Sequence, residues 1–473
     1  MERSAVKDSL VTCRSGEGVE IRASLLRVTR YLAVFEVYNP SLVLQASEVL
    51  ADFKVTIQER PIYAGRAVVT TLVNTGTMLL CEAKLDETGF LLASFSPERG
   101  STWLQEGFEN FLHHWQKIYK VLPDFKVVVA DMQAFLADLR LWLDQVELEM
   151  RSAPSSSRLE TQKRVMEEIG GAMVPAFNAM HERLESVSEG IDADLRPVHQ
   201  NFAKRQLHPL VLCSPFAYRT YQKPLGYAGD YEMVDMILRD PYEGSSLFAK
   251  VMNLWFWSQW PARAHRNRIE HLKRLLAEET RRKVSRGQPV RILNLGCGPA
   301  REIQEFLAEE PLCDKARFNL LDFNEETIRY TSRVLEDCRR RYGRRTHIEI
   351  QKKSVHHVLK EGARPIADVT EKSYDLIYCA GLLDYLSDRT CAQLMTVLYD
   401  WLAPGGLLAA TNVEDCRPFR HMLEFVLDWH LIYRGTRKSA ALLPQRVAVE
   451  NTRIFKDPTE VNVFIETRKP EDG

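Results

Sequence analysis

At 473 residues the chain is too long for one ordinary hydrophobic core, and roughly one domain per 100–200 residues implies two to four units. A composition that is 45% hydrophobic and 27% charged is that of a globular protein and excludes extended disorder. Lys and Arg (63) nearly cancel Asp and Glu (64), which excludes a bulk positive field for holding nucleic acid or an anionic membrane. The nine cysteines are scattered and never form a C-x-x-C pair, so neither a disulfide framework nor a metal site is expected. No apolar run of signal-peptide or membrane-spanning length occurs, and a cytoplasmic protein is expected.

Residues 1–100 read as a small β domain. From about residue 20, short β-rich runs such as 31–38, 53–59, 65–74 and 77–85 are separated by turn signals at Asn39-Pro40, Asn74-Thr75-Gly76 and 86–89. Residues 101–205 change to helical periodicity, with Val129, Met132, Leu136, Leu139, Leu143, Val146 and Met150 at three- and four-residue steps. The serine-rich break at 152–157 divides two helices, which predicts a helical bundle or hairpin. Residues 206–285 are less regular and predict a helical lid or acceptor subdomain. They contain 223–238 with Tyr227, Asp230 and Tyr231, then an aromatic run with Trp255, Phe256, Trp257 and Trp260, then Arg263, Arg266 and Arg268. The aromatic run reads as core and the arginines as a solvated helix face, with carboxylate binding as the sharper reading of the latter.

From 286 to 473, apolar strand-like runs alternate with amphipathic helical lengths, predicting an α/β fold with a mostly parallel sheet covered by helices on both faces. The strands expected are 291–295, 317–322, 347–351, 374–379 and 406–412, followed by 428–434 and 460–468 as the last two. The first ends in Asn294-Leu295-Gly296-Cys297-Gly298-Pro299-Ala300 and opens a helix, a place where a ligand can approach the backbone because no Cβ intervenes. A dinucleotide fingerprint would carry a third glycine where this chain has Arg301, so a ligand without a pyrophosphate is favoured. About two dozen residues on, the second strand runs into Asp322, an acidic side chain placed to accept from two ribose hydroxyls. The other reading of Asp322 is a cap for the helix starting near Asn324.

In order and spacing, the runs NLGCGPA, LLDFN, YDLIYCAGLLDYLSD and LAPGGLLAATNV resemble the sequential motifs of class I S-adenosylmethionine-dependent methyltransferases over about 120 residues. The resemblance implies a Rossmann-like methyltransferase domain with a seven-stranded, mostly parallel sheet. It implies that Gly296 and Gly298 line the methionine part of S-adenosylmethionine (SAM), that Asp322 holds the ribose, that Ser354 and Val355 touch adenine, that Cys379, Ala380 and Gly381 face the sulfonium, and that Asn294 and Phe323 belong to the same cofactor-binding set. The upstream runs KPLGYAGDYEMVDMI, PYEGSSLFAKVMN and ARAHRNRIEHL are similar to bacterial extracellular-factor, 3-hydroxypalmitic acid methyl ester biosynthesis proteins, which implies a carboxylate acceptor on a hydroxylated acyl chain. The N-terminal β domain resembles the second half of a PilZ barrel. Because Arg27 and Arg30 are one residue too close for that family's arginine arm, it is expected to be structural or regulatory and not a cyclic di-GMP receptor.

Methyl transfer from a sulfonium is an in-line displacement, so alignment and exclusion of water are the main demands on the protein. Asp384, Tyr385 and Tyr227 are the candidates for contact with the reacting atoms, and His356 and His357 read as surface or cap residues. A small or lipid-like acceptor is expected. A nucleic-acid substrate is disfavoured by the neutral charge and by AGLLDY where an N-P-P-Y motif would stand. The alternative function is a regulatory, cofactor-sensing protein with a non-catalytic methyltransferase fold controlled by the β domain.

Overall fold

The structure, a computed structural model, describes residues 9–37, 44–57, 60–74, 79–91, 105, 106, 108, 109, 112, 113, 120–151, 158–363, 373–414 and 418–471. The expected turns at Asn39-Pro40 and Thr75-Gly76, the serine-rich break and most of 102–119 lie outside the described residues. The chain divides into two compact units that exchange segments: Met1–Gln222, Asp240–Phe256 and Pro418–Trp429 form one, and Lys223–Arg239, Trp257–Arg417 and His430–Gly473 the other.

In the first unit, β1 (Leu10–Arg14), β2 (Glu20–Val28), β3 (Leu32–Val37), β4 (Val49–Ile57), β5 (Arg60–Asn74) and β6 (Leu79–Leu85) close into a barrel in the order β1-β2-β3-β6-β5-β4. Alternation along the strands fills its interior: Ala33, Phe35 and Val37 of β3 point inward with Phe53, Val55, Tyr63 and Cys81. The same unit holds α1 (Pro123–Arg151), α2 (Arg158–Glu189), α3 (Arg196–Val211), α4 (Pro215–Gln222) and most of α6 (Leu247–Ser258). Val129, Met132, Leu136 and Leu143 of the predicted stripe are wholly buried. A charge sits in this core. Glu185 of α2 accepts from the backbone amides of His421 and Met422, each at 2.9 Å, and is hydrogen-bonded to the rings of His421 (2.8 Å) and His181 (3.2 Å). Burial pushes this carboxyl up, but those partners outweigh it and hold it at about 2.

In the second unit, β7 (Val290–Leu295), β8 (Ala316–Asp322), β9 (His347–Lys352), β10 (Tyr374–Cys379), β11 (Leu402–Val413), β12 (Thr452–Lys456) and β13 (Asn462–Arg468) form one sheet in the order β12-β13-β11-β10-β7-β8-β9. The pairs from β11 to β9 are parallel, and β13 and β12 add antiparallel at one edge. Successive residues serve opposite faces. Ile292, Leu376 and Tyr378 pack with Leu272, Leu275 and Leu276 of α7 (Trp260–Val284), Ile303 and Phe306 of α8 (Arg301–Glu309), and Leu335 of α9 (Glu325–Tyr342). Leu293, Leu295, Ile377 and Cys379 pack on the other side with Val358 of α10 (Val355–Gly362) and Leu394 and Leu398 of α11 (Asp388–Asp400). Local chemistry closes the ends of α9: Asn324 caps it by accepting from the Thr327 amide, Glu325 and Glu326 occupy its first turn, and Arg339, Arg340 and Arg341 its last.

One expectation is corrected. Residues 428–434 form no strand: Asp428 is left-handed at φ 55°, the Ile432 amide donates to the Asp384 carbonyl, and the partner of β13 is Thr452–Lys456. Within the stretch 206–285, residues 240–256 fall in the first unit while 223–239 and the chain from Trp257 fall in the second. The aromatic run is split accordingly: Trp255 is core in the first unit, donating to Asn178 at 2.8 Å, whereas Trp260 is 41% exposed. Ahead of the β-rich runs read from about residue 20, Leu10–Arg14 supplies a further strand that joins β2 to β4.

Candidate functional site

The candidate site lies within the second unit, at the carboxyl ends of β7, β8 and β10. After β7 the backbone turns through left-handed conformations at Gly296 (φ +73°), Gly298 (φ +51°) and Ala300 (φ +50°), which only glycine adopts without strain at the first two. The Gly296 and Cys297 amides both donate to the Leu321 carbonyl, at 2.8 and 3.2 Å, which holds the turn against the end of β8. A Cβ on Gly298 would meet no atom within 4 Å, so this face of the turn is open, while one on Gly296 would touch Leu382 at 3.6 Å. The glycine turn therefore adjoins the chain leaving β10.

Asp322 ends β8 and is buried, 4% exposed. Its carboxylate accepts from the Gly298 amide at 3.2 Å and the Asn324 amide at 3.0 Å; the helix cap is Asn324 itself. Burial pushes its pKa up, against the opposing pull of these amides. Phe323, 46% exposed, meets the ring of Tyr227 at 5.4 Å, and Tyr227 meets Tyr385 at 6.3 Å, edge to face. Burial, then the Asp322 charge, raises the Tyr227 hydroxyl, which is hydrogen-bonded to Thr327. The segment bearing Tyr227 is anchored by α5 (Tyr231–Leu238), capped by Asp230. Tyr231 donates to Glu326 at 2.8 Å and stacks on Tyr330, whose hydroxyl donates to Asp235.

At the tip of β10, Cys379 is fully buried, Ala380 half-buried, and Gly381 turns at φ +83° with its amide donating to Thr411 at 3.0 Å. Asp384 follows in a buried turn, its carboxylate accepting from the Val413 amide at 2.6 Å. Burial pushes its pKa up to about 6, opposed by that amide and by Arg268 and Arg434. Arg434 is only 1% exposed and braces the same turn by donating to the carbonyls of Leu383 (2.8 Å) and Leu386 (2.5 Å), to Asn412 (2.7 Å) and to Asp388 (2.8 Å).

The structure thus brings together Gly296, Gly298, Asp322, Phe323, Tyr227, Gly381, Asp384 and Tyr385. Two other candidates carry different duties. Asn294 lies below the turn, where its amide donates to Glu302 (3.2 Å) beside the Tyr378 hydroxyl (2.7 Å from Glu302). Ser354 caps α10, its hydroxyl bonded to the ring of His357 at 2.8 Å, and Val355 beside it is half-buried. His356 and His357 are exposed. Sequence reading passed over Arg434 and took Arg268 for a solvated residue, although Ala264, Leu272 and Leu275, four before and four and seven after Arg268, mark the buried stripe of α7. Among the described residues no group of three or more His, Cys, Asp or Glu could hold a metal ion, and no helix is long and apolar enough to cross a membrane.

No protein-family model matches the chain, and no curated protein does. Several solved structures that match are methyltransferases. The N-methyltransferase NodS from Bradyrhizobium japonicum is 18% identical over 43% of this chain and 98% of its own, with a TM-score of 0.27. Magnesium protoporphyrin IX methyltransferase from Synechocystis with bound SAH is 10% identical over 53% of this chain and 97% of its own, at 0.36. A protein described as possibly exported, from Bordetella parapertussis, is 17% identical over 67% of this chain and 99% of its own, at 0.40. At identities and TM-scores this low, the likenesses carry no weight for function.

Proposed function

We propose that the chain is a SAM-dependent methyltransferase acting on a small or lipid-like acceptor. The observation that carries this reading is the pairing of Asp322 with the Gly296–Gly298 turn: a buried carboxylate at a strand tip, 3.2 Å from the Gly298 amide, beside a glycine face with open space in front of it. A ribose diol suits the carboxylate, and a compact amino-acid group suits a turn without a third glycine. Tyr227 and Phe323 offer aromatic faces beside that carboxylate, and Val355 is the residue that the resemblance assigns to adenine. Bound there, SAM would supply an electrophilic methyl group.

The residues around the Gly381 turn would align the acceptor and exclude water. Tyr227 and Tyr385 face one another across this end of the sheet, and Asp384, held near pKa 6, is the available proton acceptor for an acceptor that needs one. A carboxylate acceptor is already ionised at neutral pH and needs none. The similarity of the upstream runs to 3-hydroxypalmitic acid methyl ester biosynthesis proteins supports such an acceptor, on a hydroxylated acyl chain in the cytoplasm of a bacterium. The N-terminal barrel is proposed as a structural or regulatory PilZ-like domain.

Calorimetric titration of SAM into the wild type, Asp322→Asn and Asp322→Ala tests the reading. Micromolar binding weakened at least tenfold by Asp322→Ala, about 1.4 kcal/mol, is expected, with Asn intermediate. A well-folded wild type that binds no SAM would overturn it.

A further inference from the structure

A buried arginine stands at the tip of β10 with no hydrogen-bond acceptor among the described residues. Arg268 of α7 is 7% exposed, and its guanidinium lies flat against Gly381: a Cβ built there would come within 3.0 Å of Nη1, 3.2 Å of Nη2 and 3.3 Å of Cζ. Gly381 keeps this approach open by lacking that atom. Among the described residues the guanidinium makes no hydrogen bond and no ion pair. The two acids whose charges act on it are otherwise engaged, Asp384 with the Val413 amide and Glu302 with Tyr378 and Asn294. Its helix neighbours behave differently. Arg266 donates to the Trp257 carbonyl at 3.0 Å over that residue's ring, and Arg263 covers Trp260. His265 is buried and held neutral by burial and by Arg268 itself.

A guanidinium this nearly buried and without a hydrogen-bond acceptor among the described residues is costly, and the little exposure it keeps leaves its N–H donors open to a ligand that would complete it. A guanidinium fork matches two coplanar oxygens. With Asp384 and Glu302 already near, a doubly charged phosphate would be repelled more strongly than a singly charged carboxylate. We infer that Arg268 is a carboxylate-binding residue of the site, reaching its ligand at the Gly381 turn. This inference rests on the methyltransferase reading. The carboxylate has two possible sources there, the amino-acid end of SAM and a carboxylate acceptor.

The full-length wild type, Arg268→Lys, Arg268→Gln and Arg268→Met are compared by calorimetry, with SAM, with decarboxylated SAM, and with 3-hydroxypalmitate in the presence of saturating S-adenosylhomocysteine. If the cofactor supplies the carboxylate, the wild type prefers SAM to its decarboxylated form at least tenfold, and Gln and Met erase that preference. If the acceptor supplies it, SAM binding is the same in all four proteins and 3-hydroxypalmitate affinity falls at least tenfold in Gln and Met, with Lys intermediate. Because the arginine bonds to no protein group, the melting temperature of Arg268→Met stays level or rises; a fall of several degrees marks a structural arginine and overturns the inference. So does unchanged binding of both carboxylates by variants that still bind SAM. A wild type that binds no SAM overturns the proposed function itself, and this inference with it.

Discussion

Glu185 in the first unit and Asp384 in the second are equally hidden carboxyl groups, 4% and 3% exposed, yet they are pulled in opposite directions, to about 2 and about 6. Burial raises both. Glu185 has two backbone amides and two histidine rings to offset it, whereas Asp384 is opposed by the Val413 amide and its own backbone amide, with Arg268 and Arg434 acting through space. The difference teaches how to sort buried polar groups: one whose bonding capacity is filled from within the protein belongs to the architecture, and one left partly unfilled belongs to a site. Arg434 and Arg268 repeat the contrast among cations, the first with four acceptors and the second with none among the described residues.

The largest expected effect tests the architectural side. Replacing Glu185 by Leu leaves two buried amides and two rings without their acceptor and is expected to cost about 3–5 kcal/mol, read by chemical denaturation; a loss below ~1 kcal/mol would break the contrast. A second test uses pH. Glu185 has a native value below its unfolded one, so the native state binds fewer protons, and its stabilisation, present above pH 4.5, is lost as pH falls towards about 2. Asp384 is the reverse: the native state holds its proton more tightly, so stability declines as pH rises from 3.8 through about 6. Each window is worth roughly 3 kcal/mol. Glu185→Gln and Asp384→Asn should flatten the stability profile, each in its own window; a single shared window would show that the two carboxyls do not differ. The smallest effect concerns Ser354. Its change to Ala removes the cap of α10 and is expected to cost about 1 kcal/mol of stability while leaving SAM affinity unchanged; weaker SAM binding would assign the hydroxyl to adenine as well.

The strands that place the site were legible in the chain because their signals are local. Apolar runs of strand length announced β7, β8, β10 and β11, and the glycines at 296, 298 and 381 mark turns whose positive φ depends on the residue itself. The acid at the end of β8 was legible from its register after that turn. Residues 428–434 misled for the same reason: an apolar run predicts a strand wherever it occurs, but pairing with β13 is a long-range choice that Thr452–Lys456 makes instead.

Sequence alone therefore determined the order of strands and turns at the carboxyl end of the sheet and the identity of the acid beside the glycines. Only the tertiary structure decided which segments share a unit, that Tyr227 meets Phe323 and Tyr385, that Ser354 caps a helix, and that, among the described residues, Arg268 is buried without a hydrogen-bond partner while Arg434 is buried with four. The physical reason is that backbone preference and periodicity act over a few residues. The state of a charge depends instead on every donor, acceptor and water that the fold brings to it or takes away.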